Sequence, residues 1–274
     1  TFKIIEVLFM FPCTPLVVAL TEKIIRGKDE KVHHNELQYI TEISLKSPAT
    51  MIPQTKNELR RMANMAQENL DHAIHGFLNQ SDEFVDKVYH REEDINNVSH
   101  AITDYLVKSN QLSLPLADQK ILGSMFYVVN DIERIGDHAE NFADYTKTEI
   151  KHNTGLTGDA KEEIKKMYTA VSRLLKLSLE CFMEQDGVNK PEDKLAEIAI
   201  LEASIDKMER RYQKHHIKRL AKGECEPRAG LLFSDMLSEL ERIADHSVNI
   251  AYSMSDEDED EMLAAENEAL ATKN

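Results

Sequence analysis

A duplicated eleven-residue motif is the feature that most restricts how this chain folds. Residues 133–143, ERIGDHAENFA, recur 108 positions later as residues 241–251, ERIADHSVNIA, with seven of the eleven positions identical. A weaker match lies upstream, where residues 92–98 correspond to residues 202–208 at an offset of 110. Because both pairs have nearly the same register, the sequence predicts two copies of one structural unit.

Clusters of Gly, Pro, Asn and Asp divide the chain into six long segments with helical periodicity. The most linker-like break, TGLTG at 154–158, separates them three and three. With only 9 Gly and 7 Pro in 274 residues, the chain lacks the frequent turns of sandwiches and barrels. We therefore predict an all-α fold of two tandem antiparallel three-helix bundles, over residues 54–153 and 159–254. The predicted helices cover residues 54–79, 82–109, 115–152, 159–186, 191–222 and 227–254.

The charge balance excludes one class of partner. The chain has 33 Lys and Arg against 49 Asp and Glu, a formal net charge of −16. Nucleic acid is therefore not an expected partner, because binding it needs a basic face that displaces counterions. Residues 255–274 carry eight acids against one lysine, and we predict that they form a disordered acidic tail. The 3 cysteines lie far apart in no CxxC pair, which argues against a disulfide framework or a thiolate zinc site.

The chain opens with a strongly apolar segment. Residues 2–20 contain only two charged side chains, and four basic residues follow between positions 23 and 31. A membrane span needs about 20 apolar residues, and basic residues just beyond it favour the cytoplasmic side. We predict that residues 1–26 end a transmembrane helix and that residues 27–53 form a connector. A buried core helix or a segment lying in the membrane interface is the alternative.

Acidic and amide side chains recur at helical spacing within the duplicated motif. Glu133, Asp137 and Asn141 are spaced by four and form one polar row on the predicted third helix. Carboxylates so close together need a cation or a basic group between them. Oxygen ligands favour hard cations such as magnesium, manganese or iron, with zinc a further candidate. The candidate metal ligands are Glu133, Asp137 and Asn141 in the first copy, Glu241, Asp245 and Asn249 in the second, and Glu92, Glu202 and Asp206 on the neighbouring helices.

Other interpretations of the same rows stay open. A solvent-facing helix often carries charges at this spacing. Arg134 and Arg242 follow the first carboxylates and can neutralise them as structural ion pairs. His138 and His246 point about 100° away from the second carboxylates and serve either as ligands or as packing residues. A metal-dependent oxidase or hydrolase is disfavoured, because the Glu-x-x-His pairs of di-iron bundles are not duplicated and no Gly-rich phosphate loop, nucleophile elbow or HExxH occurs.

The duplicated ERI(G/A)DHxxN(F/I)A motif resembles the signature of the PhoU family over residues 54–254. The resemblance implies two similar three-helix bundles, multinuclear clusters of iron or other divalent ions, and regulation of phosphate transport or signalling without catalysis. By position in the motif, the implied ligands are Glu133 and Asp137 in the first bundle and Glu241 and Asp245 in the second. The two copies differ at Asn96, which is matched by Asp206, so the resemblance does not imply equal metal occupancy.

Residues 1–53 are similar to the junction in bacterial Na/Pi cotransporters, where the last membrane helix leads into a PhoU-like domain. This resemblance implies a metal-binding regulatory domain of a sodium-dependent phosphate symporter. It also implies a location at the bacterial inner membrane, with residues from about 27 onward cytoplasmic and the transporter core upstream of Thr1. The alternative is a soluble PhoU-type adaptor that acts in trans on a phosphate transporter or sensor kinase. In that case residues 2–20 form a docking helix or the contact of a homodimer.

Overall fold

The computed structural model describes residues 37–41, 44–46, 48–152, 155–186 and 191–254. A short 3-10 helix, Ser44–Lys46, precedes six long helices. These are α1 (Pro48–Asn79), α2 (Val85–Asn110), α3 (Leu116–His152), α4 (Gly158–Glu184), α5 (Glu192–Ala221) and α6 (Pro227–Tyr252). Within these residues there is no strand, so the predicted all-helical class and the six helices are confirmed.

The helix boundaries follow local sequence signals. The Thr157 hydroxyl accepts a hydrogen bond from the Ala160 N–H at 3.3 Å and so caps the start of α4. Pro227 opens α6, where its missing N–H costs nothing. The main difference from prediction is at α1, which begins six residues before the predicted start and contains Pro53. Pro53 cannot donate to the carbonyl of Ala49, but Ala49 is exposed and water can satisfy that group.

The apolar side chains of the six helices form one continuous core, and the helices are grouped around it in two sets of three. Helices α1, α2 and α3 pack against one another, and so do α4, α5 and α6. The short links between consecutive helices make neighbours run antiparallel. Across the two sets, α3 packs along α6 and α1 touches α4. The third helix of each repeat therefore contacts both partners in its own bundle and the equivalent helix of the other bundle.

The apolar stripe of α3 shows why the motif helices occupy this central position. Met125, Val128, Ile132, Ile135 and Phe142 are all fully buried. Their spacings of three, four and seven keep them on one side of a helix with 3.6 residues per turn. Burial of each such side chain contributes about 1.5–3 kcal/mol relative to exposure. The polar residues of the motif are consequently left at the edges of this stripe, beside the neighbouring helices.

No helix in the described part of the chain combines the length and the apolar character needed to cross a membrane. Each of the six helices buries an apolar stripe in the protein. The apolar segment at residues 2–20, the first part of the predicted connector and the acidic segment at 255–274 lie outside the described residues.

Candidate metal-binding carboxylates and the bundle interface

In the first bundle, Glu92 of α2 lies directly over Gly136 of α3. Glu92 is only 2% exposed. A Cβ atom added at Gly136 would lie 2.5 Å from Glu92 Oε2 and 3.2 Å from its Cδ. The missing side chain of Gly136 therefore makes the space into which the Glu92 carboxylate fits.

The Glu92 carboxylate is buried without a compensating partner. Neither of its oxygens has a hydrogen-bond partner within the described protein. Burial, together with the negative charges of Asp137, Glu140 and Glu133, raises the pKa of Glu92 to about 8. A buried carboxylate in these surroundings either holds its proton or faces a cation.

Glu133 and Asp137 of α3 flank this buried carboxylate in half-exposed positions. Their side chains are 31% and 37% exposed, and Arg134 lies between them. Arg134 Nε is 4.0 Å from Glu133 Oε2, and Arg134 Nη1 is 3.6 Å from Asp137 Oδ2. Burial and the charge of Asp137 still raise the pKa of Glu133. The structure thus brings Glu92, Glu133 and Asp137 to one crossing of α2 and α3, where Arg134 offsets part of their charge.

The second bundle repeats the cluster at a shallower level. Glu202 of α5 is half-buried, and burial followed by the charges of Asp245 and Asp206 raises its pKa. Burial and the Asp245 charge also raise the pKa of Glu241, and burial and Asp206 raise that of Asp245. The position equivalent to Gly136 is Ala244, so a Cβ stands where the first bundle leaves room for a carboxylate.

The carboxylates of neither cluster are drawn together as metal ligands would be. Among the described residues, no group of three or more His, Cys, Asp or Glu side chains has an arrangement that holds a metal ion. Arg242 of the second motif lies 4.0 Å from Glu239. Of the two motif arginines, only Arg134 lies beside the carboxylates of its own motif, whereas in the second bundle Arg210 lies 3.4 Å from Asp206.

The amides of the two motifs point their nitrogens across the bundle interface. Asn141 Nδ2 donates to Glu239 Oε2 at 3.1 Å, and Asn249 Nδ2 donates to Asp131 Oδ1 at 3.3 Å. The interface acceptors Asp131 and Glu239 are themselves 108 positions apart. The two predicted amide ligands thus take equivalent places on opposite sides of the contact between α3 and α6.

The motif histidines complete the same reciprocal network. His138 Nδ1 contacts Glu239 Oε2, and His246 Nδ1 lies 2.9 Å from Asp131 Oδ1. The two imidazole rings lie 5.6 Å apart between centroids. Asp131 and Glu239 were not among the predicted functional residues. Their signal was present in the sequence, because each precedes its motif histidine by seven residues in both copies.

Glu239 is the more heavily engaged of the two interface acids. It also accepts a hydrogen bond from the Tyr145 hydroxyl at 3.3 Å. Burial opposes its ionisation, but hydrogen bonds from His138 and Asn141 outweigh this and hold the pKa of Glu239 below its ordinary value. Burial and the Glu239 charge in turn raise the pKa of Tyr145, which keeps the phenol protonated as a donor. Glu239 is therefore an ionised acceptor that joins the two bundles.

A second contact joins the bundles through α1 and α4. The buried Lys56 ammonium of α1 donates to the carbonyl of Phe182 at 3.1 Å and contacts that of Gln185. Burial lowers the pKa of Lys56, and the nearby Asp186 charge opposes that shift. A cation at the carboxyl end of a helix satisfies carbonyls that have no partner within the helix. Lys56 therefore fixes the end of α4 against the first bundle.

Comparison with known proteins places this geometry in a family. The model of the PhoU domain matches residues 59–146 and 164–254. A phosphate-specific transport system accessory protein PhoU homolog of Clostridium acetobutylicum is 22% identical over 199 residues, which is 72% of this chain and 87% of that protein. The homolog of Synechocystis sp. is 25% identical over 210 residues, covering 74% of this chain and 88% of that protein.

Solved structures agree in fold. The crystal structure of PhoU from Pseudomonas aeruginosa superposes with a TM-score of 0.65 at 20% identity, covering 73% of this chain and 93% of that one. The phosphate transport system regulatory protein PhoU from Streptococcus pneumoniae gives a TM-score of 0.66 at 19% identity, covering 76% and 94%.

These comparisons correct the location predicted from the sequence. The inner-membrane location is wrong, because the chain matches most of the length of relatives named as transport accessory proteins and no described helix spans a membrane. A membrane partner held through residues 2–20 is likewise unsupported. The duplicated motif, the six helices and the two matches to one domain model, which together cover more than half of the chain, show that this protein belongs to the PhoU family.

Proposed function

We propose that this protein regulates a phosphate transport system in trans, by binding a partner rather than by catalysis. The observation that carries the proposal is the double PhoU-domain match in a chain that spans 87–88% of relatives named as phosphate transport accessory proteins. The two bundles are joined through α3 and α6 and leave several helix faces exposed. Such faces suit recognition of another protein.

The fused-symporter interpretation has less support. It was motivated by residues 1–53, of which residues 1–36 lie outside the described part of the chain. The matched relatives are named as accessory proteins of a transport system, which favours the adaptor interpretation. A gene product with membrane spans preceding Thr1 would overturn action in trans.

Regulation of transport can be tested in cells. In a bacterium whose own PhoU homolog has been deleted, expression of this chain is expected to change the uptake of radiolabelled phosphate at high external phosphate. A chain expressed to the same level with Glu92→Gln and Glu202→Gln serves as the matched variant. Uptake that is identical with and without the chain would contradict the proposed function.

We propose further that each carboxylate cluster binds a hard cation. The supporting observation is Glu92, whose two buried oxygens lack partners beside Glu133 and Asp137. In the first bundle Glu92, Glu133 and Asp137 would hold the cation, and in the second Glu202, Asp206, Glu241 and Asp245 would do so. Binding requires the half-exposed carboxylates to turn inward. It also requires Arg134 to move away in the first bundle and Arg210 to release Asp206 in the second. A bound cation would supply positive charge to the cluster and fix α2 against α3.

Elemental analysis of the purified chain tests cation binding directly. Protein prepared without added metal or chelator is expected to hold iron, manganese, magnesium or zinc. The content should fall stepwise in Glu133→Ala/Asp137→Ala and in Glu241→Ala/Asp245→Ala. Folded protein that stays metal-free when divalent ions are added would remove this part of the proposal. It would leave Arg134 as the charge partner of the first cluster.

A further inference from the structure

One face of α5 carries a row of five cations in an otherwise acidic protein. Lys207, Arg211, Lys214, Lys218 and Lys222 are spaced by four, three, four and four residues and are all exposed. Side chains at these spacings lie on the same side of a helix. These five residues are called the α5 basic row below.

The row has little local compensation. Of its members, only Lys222 forms an ion pair with a described residue, lying 3.4 Å from Glu224. The neighbouring Asp206 is engaged by Arg210 at 3.4 Å. Like charges three and four residues apart destabilise an isolated helix. Lys218 lies in the last turn of α5 and Lys222 at its C-cap, where the helix dipole favours cations. Lys207, Arg211 and Lys214 lie further from that end, so the stability of the helix does not explain them.

The equivalent face of the first bundle shows that the fold does not demand these cations. At an offset of 110, the equivalent positions in α2 and just beyond its end hold Asn97, Ala101, Asp104, Lys108 and Leu112. Only one of these residues is basic, and one is acidic. The row is therefore a property of the second bundle alone, and none of its members is a ligand in the proposed cation sites.

The chain itself contains a segment of matching charge. Residues 255–274 hold six consecutive acids, Asp256 to Glu261, followed by Glu266 and Glu268. This segment follows α6, which ends at Tyr252. The Tyr252 hydroxyl donates to the carbonyl of Leu195 at 3.4 Å, so α6 ends beside the first turn of α5.

The distances allow acids and cations to meet in order. Lys207 is twelve residues beyond Leu195, or about 18 Å along the helix. The seven residues that follow Met254, up to Glu261, span up to about 24 Å when extended. Glu266 and Glu268 extend the reach to about 40–48 Å, and Lys222 lies about 40 Å from Leu195. Because the segment is tethered, its effective concentration at the row is of millimolar order.

We propose that the α5 basic row is a binding surface for an acidic polypeptide segment and that its occupant in the isolated protein is residues 255–274 of the same chain. The segment shields the positive charge of the row. A partner binds this surface by displacing the segment.

Zero-length carbodiimide crosslinking of the full chain tests this contact, because it joins a lysine amine only to a carboxylate that touches it. Mass spectrometry is expected to find Lys207, Lys214 and Lys218 joined to acids of residues 256–268. The yield should fall by about fivefold or more between about 0.1 M and 1 M salt, since the screening length drops from about 10 Å to 3 Å. The matched control is the set of exposed α4 lysines Lys165, Lys166 and Lys176. Equal crosslinking to these lysines, or none to α5, would overturn the proposal.

Two further arms identify the occupant. In a mixture of isotopically labelled and unlabelled chains, each α5 crosslink is expected to join two peptides that carry the same isotope. Mixed pairs would assign the surface to a second copy and overturn the intramolecular contact. The fraction of protein that sediments with phosphatidylglycerol vesicles should be no larger for the full chain than for a Lys207→Gln/Lys214→Gln/Lys218→Gln variant. Vesicle binding that requires these lysines while the acidic segment is intact would assign the row to a lipid surface instead. None of these readouts depends on phosphate uptake or metal content, so the proposed function stands or fails separately.

Discussion

The two bundles share one motif, yet they place its neighbouring carboxylate at different depths. In the first bundle Glu92 is 2% exposed and lies over Gly136, whereas in the second Glu202 is half-buried and the equivalent residue is Ala244. A single Cβ atom separates these arrangements. Added to Gly136, it would lie 2.5 Å from the Glu92 carboxylate. The two bundles thus differ at the residue before the motif aspartate, which in the first bundle is the residue that the Glu92 carboxylate lies against.

The interface between the bundles shows the same unequal use of equivalent residues. Asp131 and Glu239 occupy matching positions, and each accepts from the histidine and asparagine of the other motif. Only Glu239 also accepts from a tyrosine, Tyr145. The two acids therefore share the same pattern of histidine and asparagine partners, but they accept from different numbers of donors.

Glu92→Gln should produce the largest difference between the halves, as a change in the pH dependence of stability. The pKa of Glu92 is about 8 in the fold, above its value of 4.5 in the unfolded chain, so the folded state holds the extra proton. The contribution of this protonated carboxyl group to the stability of the fold is complete below pH 4.5 and is lost as the pH rises through 8. Without metal, the variant should match the wild type near pH 4.5. At pH 8 and above it should be more stable by roughly 2–4 kcal/mol.

Urea unfolding at several pH values measures this effect, with Glu202→Gln as the matched variant. The gain in Glu202→Gln should be smaller, because Glu202 is only half-buried. If the free energy of unfolding has the same pH dependence in Glu92→Gln and in the wild type, the burial of Glu92 has no energetic consequence. The proposed contrast between the bundles would then be wrong.

Removal of the interface acids should rank next. Glu239→Ala leaves three donors, His138, Asn141 and Tyr145, without their acceptor at a buried contact. The expected loss in the free energy of unfolding is about 3 kcal/mol. Asp131→Ala leaves two donors and should cost about 2 kcal/mol. Because the depressed pKa of Glu239 stabilises the fold only while the group is ionised, the Glu239→Ala deficit should shrink as the pH falls through that pKa.

Denaturant unfolding of both single variants and the double variant tests the interface. Coupled acids across one contact should give non-additive losses. Equal, additive losses would mean that each bundle is stabilised on its own and that the reciprocal pattern joins nothing.

Exchanging the residue before each motif aspartate should give a smaller effect, on cation affinity. Gly136→Ala should weaken manganese binding to the first bundle by about tenfold, equivalent to about 1.4 kcal/mol, because Glu92 must withdraw. Ala244→Gly should strengthen the second site by less, since Glu202 must also move inward. Isothermal titration calorimetry on each variant measures the change.

Gly→Ala also raises helix propensity by about 1 kcal/mol, so unfolding must be followed in parallel. Weaker binding in a chain of equal or greater stability would identify the cause as the carboxylate position. Unchanged affinity in both exchanges would mean that the Cβ at this position does not distinguish the two clusters.

The sequence predicted much of the architecture because its signals are local. Apolar spacing along α3 and clusters of breaking residues at the loops predicted six helices, with most ends within three residues of the observed ones. The start of α1 was predicted six residues too late, and the observed helix tolerates Pro53 because the freed carbonyl is exposed. The offsets of 108 and 110 identified the paired positions of the repeat.

The duplicated motif and the six helices were thus determined by the sequence alone, since periodicity and repetition are properties of the chain. Which neighbour each polar side chain meets was decided only by the tertiary structure. Asn141 lies one turn beyond Asp137, yet its amide nitrogen donates a hydrogen bond to Glu239 of α6. Asp137 instead lies near Glu92 of α2. The physical reason is that α3 packs between α2 and α6, so residues on one polar row reach different helices. Spacing along a helix determines which side chains share a face, and only packing determines which partner that face meets.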